Sequence, residues 1–106
     1  MKFARAIFNL IVAEVVLSND ACRRAEEDKE NAGYYHSFCE GIRSSICELV
    51  LSFRKSFTDE DIKRIVVTKE RYQFFIAVEE EINKRIASGE LIQYDITKRI
   101  PTNEAN

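Results

Sequence analysis

Of all the side chains in this sequence, His36, Cys39, Cys47 and Cys22 are the best equipped to ligate a metal or act as a nucleophile. On a helix, His36, Cys39 and Cys47 would share one face, because eleven residues make nearly three turns, and Cys22 would approach from a neighbouring helix. That would assemble a Cys3His zinc set. The spacing H-x2-C-x7-C matches no common zinc module, however, and an apolar helical stripe already accounts for Cys39. A Cys–His catalytic pair fares no better. His36 is the single histidine, sits three residues from Cys39, and has no evident third group to orient it as a base. The expectation is therefore no metal, no cofactor and no catalytic residue, with the thiols acting as small hydrophobes.

The carboxylate runs Glu26-Glu27-Asp28, Asp59-Glu60-Asp61 and Glu79-Glu80-Glu81 could in principle serve acid–base chemistry. The first is interleaved with Arg23, Arg24 and Lys29, as i,i+4 pairing on an exposed helix requires. The second suits a helix cap and the third a solvent-facing surface. Three scattered glycines cannot build a phosphate-cradling loop.

These side chains have to be positioned by helices. The chain has 106 residues, 45% of them hydrophobic, with only 3 Gly and 1 Pro, too few breakers for a turn-rich β architecture. The sequence predicts one helical domain over 1–100 and a flexible tail over 101–106. Helix one is expected over 2–31, closed by Asn31-Ala32-Gly33, with either a break at the capping residues Ser18-Asn19-Asp20 or one continuous rod. In its first half, Phe3, Ile7, Phe8, Leu10, Ile11, Val12, Val15, Val16 and Leu17 go almost all round the helix. Helix two, over 34–57, carries the clearest local signal, an apolar stripe at 4-3-4-3-4-4 spacing through Tyr35, Cys39, Ile42, Ile46, Leu49, Phe53 and Phe57. It should pack antiparallel on helix one.

Thr58 caps a short helix over 59–66, and Thr68 caps a longer one over 69–88 that Gly89 closes. The candidate core is Phe3, Ile7, Leu10, Ile11, Ile42, Ile46, Leu49, Phe53, Ile62, Tyr72, Ile76 and Ile82. Beyond Gly89 the period changes to two, with Ile92, Tyr94 and Ile96 alternating with polar residues, so an extended or single-strand arm is expected over 91–100. The arm would complete a bundle that is otherwise all α.

From Phe57 onward, the string FTDEDIKRIVVTKERYQFFIAVEEEINKRIASGELIQYDI resembles a winged helix-turn-helix, with a capped short helix, a tight Val-Thr junction, a longer helix and a wing-like strand. The resemblance implies a DNA-binding regulator in which Lys69, Arg71 and Gln73 face the major groove, with Lys63 and Arg64 beside them. Nearby Glu70 and Glu79-Glu80-Glu81 oppose phosphate contact, and the net charge of -2 offers no general attraction to nucleic acid or anionic lipid.

The leading expectation is instead a non-enzymatic helical protein that works through another protein's surface, as a regulator, inhibitor, adaptor or small subunit. Helix one has more apolar surface than one neighbour covers, and the arm is a strand without a pairing edge, so self-association is expected. The interface candidates are Phe8, Val12 and Val16 on helix one and Ile92, Tyr94 and Ile96 on the arm. The stretch MKFARAIFNLIVAEVVLSNDAC lacks the run length of a membrane span and the cleavage pattern of a leader, and the three cysteines of the whole chain form no even disulfide framework. A cytoplasmic protein is expected, without a membrane role.

Overall fold

A computed structural model describes residues 2–89, which form four α-helices and, among the described residues, no strand. Helix α1 spans Lys2–Glu27, α2 Ala32–Ser56, α3 Asp59–Val66 and α4 Lys69–Ala87. The all-α class and the two short-helix boundaries follow the local signals closely. Thr58 and Asp61 form a reciprocal capping box at the head of α3. The Thr68 hydroxyl accepts the Arg71 N–H at the head of α4. Gly89 follows α4 at φ 82, the left-handed conformation that glycine adopts without penalty. The arm over 91–100 and the tail over 101–106 lie outside the described residues.

Helix α1 runs unbroken through Ser18-Asn19-Asp20, and the reason lies in where those polar side chains find partners. The Asp20 carboxylate pairs with Arg23 and Arg24 one turn on, and buried Ser18 faces Cys39 of α2. Neither is left to compete for the backbone N–H groups, so the helix has no cause to restart. Its end comes earlier than expected, at Glu27 rather than Asn31. Asp28 accepts from both the backbone N–H and the side-chain amide of Asn31, which closes a short 3-10 turn over Lys29–Asn31. Gly33 consequently lies within the first turn of α2 and caps nothing. The turn folds α2 back antiparallel along α1, as Ser45 donating to Glu14 and Cys39 meeting Cys22 demonstrate.

The core gathers Ala4, Phe8 and Ile11 from α1, Ile46, Cys47, Val50 and Phe53 from α2, Ile62, Ile65 and Val66 from α3, and Phe75 and Ile82 from α4. At its centre Phe8 lies 6.5 Å from Phe53 and 6.4 Å from Phe75, and these last two are 5.5 Å apart. Such tilted ring contacts contribute roughly 0.5–1.5 kcal/mol per pair beyond area burial. The Arg71 guanidinium closes the cluster from outside, 4.8 Å above the Phe8 ring, while donating to Asn9.

Two residues expected in the core are not there. Phe3 and Leu10 are 80% and 48% exposed, because α1 meets its neighbours along Ala4, Phe8, Ile11 and Ser18, on the opposite side of the helix. A helix that is apolar almost all round does not announce which side will be covered. Ile7, Ile42, Leu49, Tyr72 and Ile76 are partly buried against the core, and Ile11, Ile46, Phe53, Ile62 and Ile82 are fully within it.

Between α3 and α4, Val67 has φ 72 and ψ -46, and the Thr68 N–H donates to the Val66 carbonyl at 2.8 Å. This is the rare γ-turn with a positive central φ, strained for a β-branched residue whose side chain is largely exposed. The Val67→Gly variant should be about 1 kcal/mol more stable by denaturant titration, since it relieves the strain and loses little packing. In the same assay, Phe8→Ala should cost about 4 kcal/mol and Phe3→Ala less than about 0.5 kcal/mol, which separates the core side of α1 from its outer side.

Candidate functional site

The outer side of α1 is the most distinctive surface of the protein. Phe3, Leu10 and Leu17 recur every seven residues, with Ala6 and Ala13 between them, and all five are exposed. Seven-residue recurrence with an intermediate position keeps one stripe in line along a helix, as a helix–helix seam requires. Val16, 61% exposed, flanks the stripe. Among the interface residues proposed from sequence, Val16 therefore belongs to this surface. Val12 packs against the core in part, and Phe8, at 1% exposure, is its centre and has no surface to offer. Ile92, Tyr94 and Ile96 lie outside the described residues.

A second cluster lies in the seam between the C-terminal half of α1 and the N-terminal half of α2. The antiparallel register puts Cys22 and Cys39 opposite each other, with their sulfurs 2.8 Å apart. Arg43, one turn beyond Cys39, donates from Nη2 to Cys22 Sγ at 3.1 Å. Ser18 Oγ lies 3.4 Å from Cys39 Sγ, and Cys39 points toward the Ser18 carbonyl. Burial and the contact with Cys39 push the Cys22 thiol above its ordinary range, while Arg43 and Arg85 pull in the opposite direction. Ser18 and Arg43 also line an apolar groove of about 240 Å³ between α1, α2 and α4, alongside Phe74, Val78 and Ile82.

The sequence brings Cys22 toward the helix face bearing Cys39 only as part of the Cys3His set, not as a pair, although a signal for the pair existed. The two cysteines stand at nearly equal distances either side of Glu30-Asn31, where the hairpin turns. His36 is exposed, and Cys47 is buried in the main core, so the fold does not gather the four residues of the Cys3His reading. Among the described residues, no group of three or more His, Cys, Asp or Glu side chains is placed to hold a metal ion.

The basic residues around α3 and α4 have partners within the fold. Lys63 Nζ lies 5.3 Å above the Tyr72 ring, Arg64 pairs with Asp61, and Arg71 is held over Phe8 by Asn9. Lys69 and Gln73 are exposed on the first turns of α4. Arg54 is the strongest electrostatic node. It makes a two-pronged bond to Glu79 at 2.7 and 3.0 Å and a third bond to Asp59 at 2.7 Å, while lying 5.5 Å from the centroid of the Phe75 ring. One guanidinium thus ties α2 to α4 and to the start of α3. Glu79 raises the Arg54 pKa further above its already high range, against the effect of burial, and Arg54 holds the Asp59 carboxyl below the usual carboxylate range. Asp61 is likewise held low by the backbone N–H and hydroxyl of Thr58.

No helix among the described residues is long and apolar enough to cross a membrane. No protein-family model, curated protein or solved structure matches the chain.

Depressed carboxyl pKa values stabilise the fold at pH above the ordinary carboxylate range, and that contribution disappears as pH falls through the folded values. Stability should therefore decline on acidification below about pH 4. Arg54→Met should cost about 2 kcal/mol at pH 7, where it breaks the two-pronged bond to Glu79, and less at pH 3, because the share that comes from the depressed Asp59 carboxyl is lost on acidification. Urea titrations at the two pH values provide the check, and an equal loss at both would exclude the electrostatic account.

Proposed function

We propose that this protein is non-enzymatic and acts through protein–protein contact, with the outer face of α1 as the contact surface and a second copy of the chain as its occupant. The observation that carries this reading is the exposed stripe Phe3, Ala6, Leu10, Ala13 and Leu17, which the bundle leaves uncovered on its longest helix. Leaving contiguous apolar surface in water is unfavourable, and soluble proteins that do so usually cover it with a partner.

The order of residues in the stripe favours self-pairing. Large and small side chains alternate, so an antiparallel copy of α1 can set Leu10 against Ala13 and Leu17 against Ala6, and the same contacts recur on the other side of the twofold axis. Leu10 and Leu17 would each enter the space above an alanine, which lets the two helices approach closely, while Phe3 would lie at the edge of the contact opposite Asp20. A regulator, an inhibitor, an adaptor or a small subunit of a larger assembly would each use such a surface, and an antiparallel dimer would present the rest of the bundle twice.

Sedimentation equilibrium should show a dimer at high micromolar concentration. Leu10→Asp should shift the protein to monomer while leaving its far-ultraviolet circular dichroism unchanged, because Leu10 makes little of the core. A wild-type chain that remains monomeric at that concentration, or a Leu10→Asp variant that still dimerises, would overturn the assignment.

A further inference from the structure

The thiols at the α1–α2 seam carry an inference that stands apart from the dimer surface. A buried pair of cysteines used only for packing needs no particular approach of one sulfur to the other. Here the sulfurs are 2.8 Å apart and the pair is framed on both sides, by Arg43 at Cys22 and by Ser18 at Cys39. The sulfurs have less than about 1 Å to travel to bonding distance. The two members also differ in the way a nucleophile and a resolving thiol differ. Cys22 is partly exposed and takes a hydrogen bond from the Arg43 guanidinium, which offsets part of the rise that burial gives its thiol, whereas Cys39 is fully buried behind it.

We infer that Cys22 and Cys39 form a two-electron redox site whose oxidant is a low-molecular-weight disulfide, with glutathione disulfide as the model compound. The groove beside the pair is apolar along Phe74, Val78 and Ile82, and Arg43, Arg85 and Glu81 also line it, the last two paired with each other. In the first step the Cys22 thiolate, its proton given to solvent, attacks one sulfur of the small disulfide. A Cys22 mixed disulfide forms and one small thiolate leaves. Cys39 then loses its proton and attacks the Cys22 sulfur, forming the Cys22–Cys39 bond and expelling the second small thiolate. The protein dithiol is oxidised by two electrons and the small disulfide is reduced to two thiols.

The bond would join residues 17 apart in sequence and close a loop that contains the Asp28–Asn31 turn. It would join the end of α1 to the beginning of α2, the part of the hairpin farthest from the Phe8 cluster. Cys47, buried in the main core and apart from the pair, serves as an internal control.

The test incubates the reduced, folded chain with glutathione disulfide at about pH 8.5, near the ordinary thiol pKa. The expected product is a monomer lighter by two hydrogens in intact-mass measurement, with one free thiol remaining and a peptide map joining Cys22 to Cys39. Its melting temperature should rise by about 10 °C or more relative to the reduced chain. Cys47→Ser should form the same bond at the same rate. Cys22→Ser should give neither the mass loss nor the thermal shift, and because Cys22 is only partly buried its circular dichroism should match that of the parent. A stable glutathione adduct on Cys22 that Cys39 never resolves, a cross-link through Cys47, or an unchanged mass after prolonged incubation would each overturn the inference.

Discussion

Phe8, Phe53 and Phe75 are drawn from α1, α2 and α4, and their mutual packing is the contact on which the arrangement of the long helices depends. Once Phe8 is inserted between the other two rings, the rotation of α1 about its own axis is fixed. Ala4, Ile11 and Ser18 must then face inward with it, and Phe3, Leu10 and Leu17 must face out. The polar contacts around the cluster act on the same geometry. Arg71 covers Phe8 from α4, and Arg54 fastens α2 to α4 beside Phe75. Both use a cation over a ring and a hydrogen bond together, so each is sensitive to the position of the ring as well as to charge.

The consequence for function is that one helix carries two different surfaces. The inner one has the large rings and the close approach to α2, which at its far end brings Cys22 to Cys39. The outer one has the seven-residue stripe. Neither the stripe nor the thiol pair could exist without the rotation that the Phe8 cluster imposes, because a turn of α1 by a third of a revolution would bury Leu10 and withdraw Cys22 from its partner. The proposed contact surface and the proposed redox site are physically distinct, yet both are set by the same packing decision.

Much of the architecture was legible locally. The capping box at Thr58, the cap at Thr68, the glycine after α4 and the stripe along α2 are interactions within a few residues, and each appears where the residue pattern puts it. Legibility failed where a side chain had a choice of partners. Ser18 and Asp20 are good caps in isolation, but a buried thiol and two arginines engage them first. Asp28 ends α1 by bonding to Asn31, although Gly33 had the stronger claim by residue type. For the apolar half of α1, periodicity was silent because almost every side of the helix qualified for burial.

What the sequence determined alone is therefore the helical class, the approximate length of the helices and the absence of a familiar catalytic spacing, since these rest on backbone preference and on contacts between near neighbours. Only the tertiary structure decided which face of α1 is covered, that Phe8 belongs to the core and not to a surface, and that Cys22 lies against Cys39. The physical reason is the same in each case. Those outcomes depend on the register and rotation of helices distant in sequence, and that geometry is set by how the large rings of three helices fill one space.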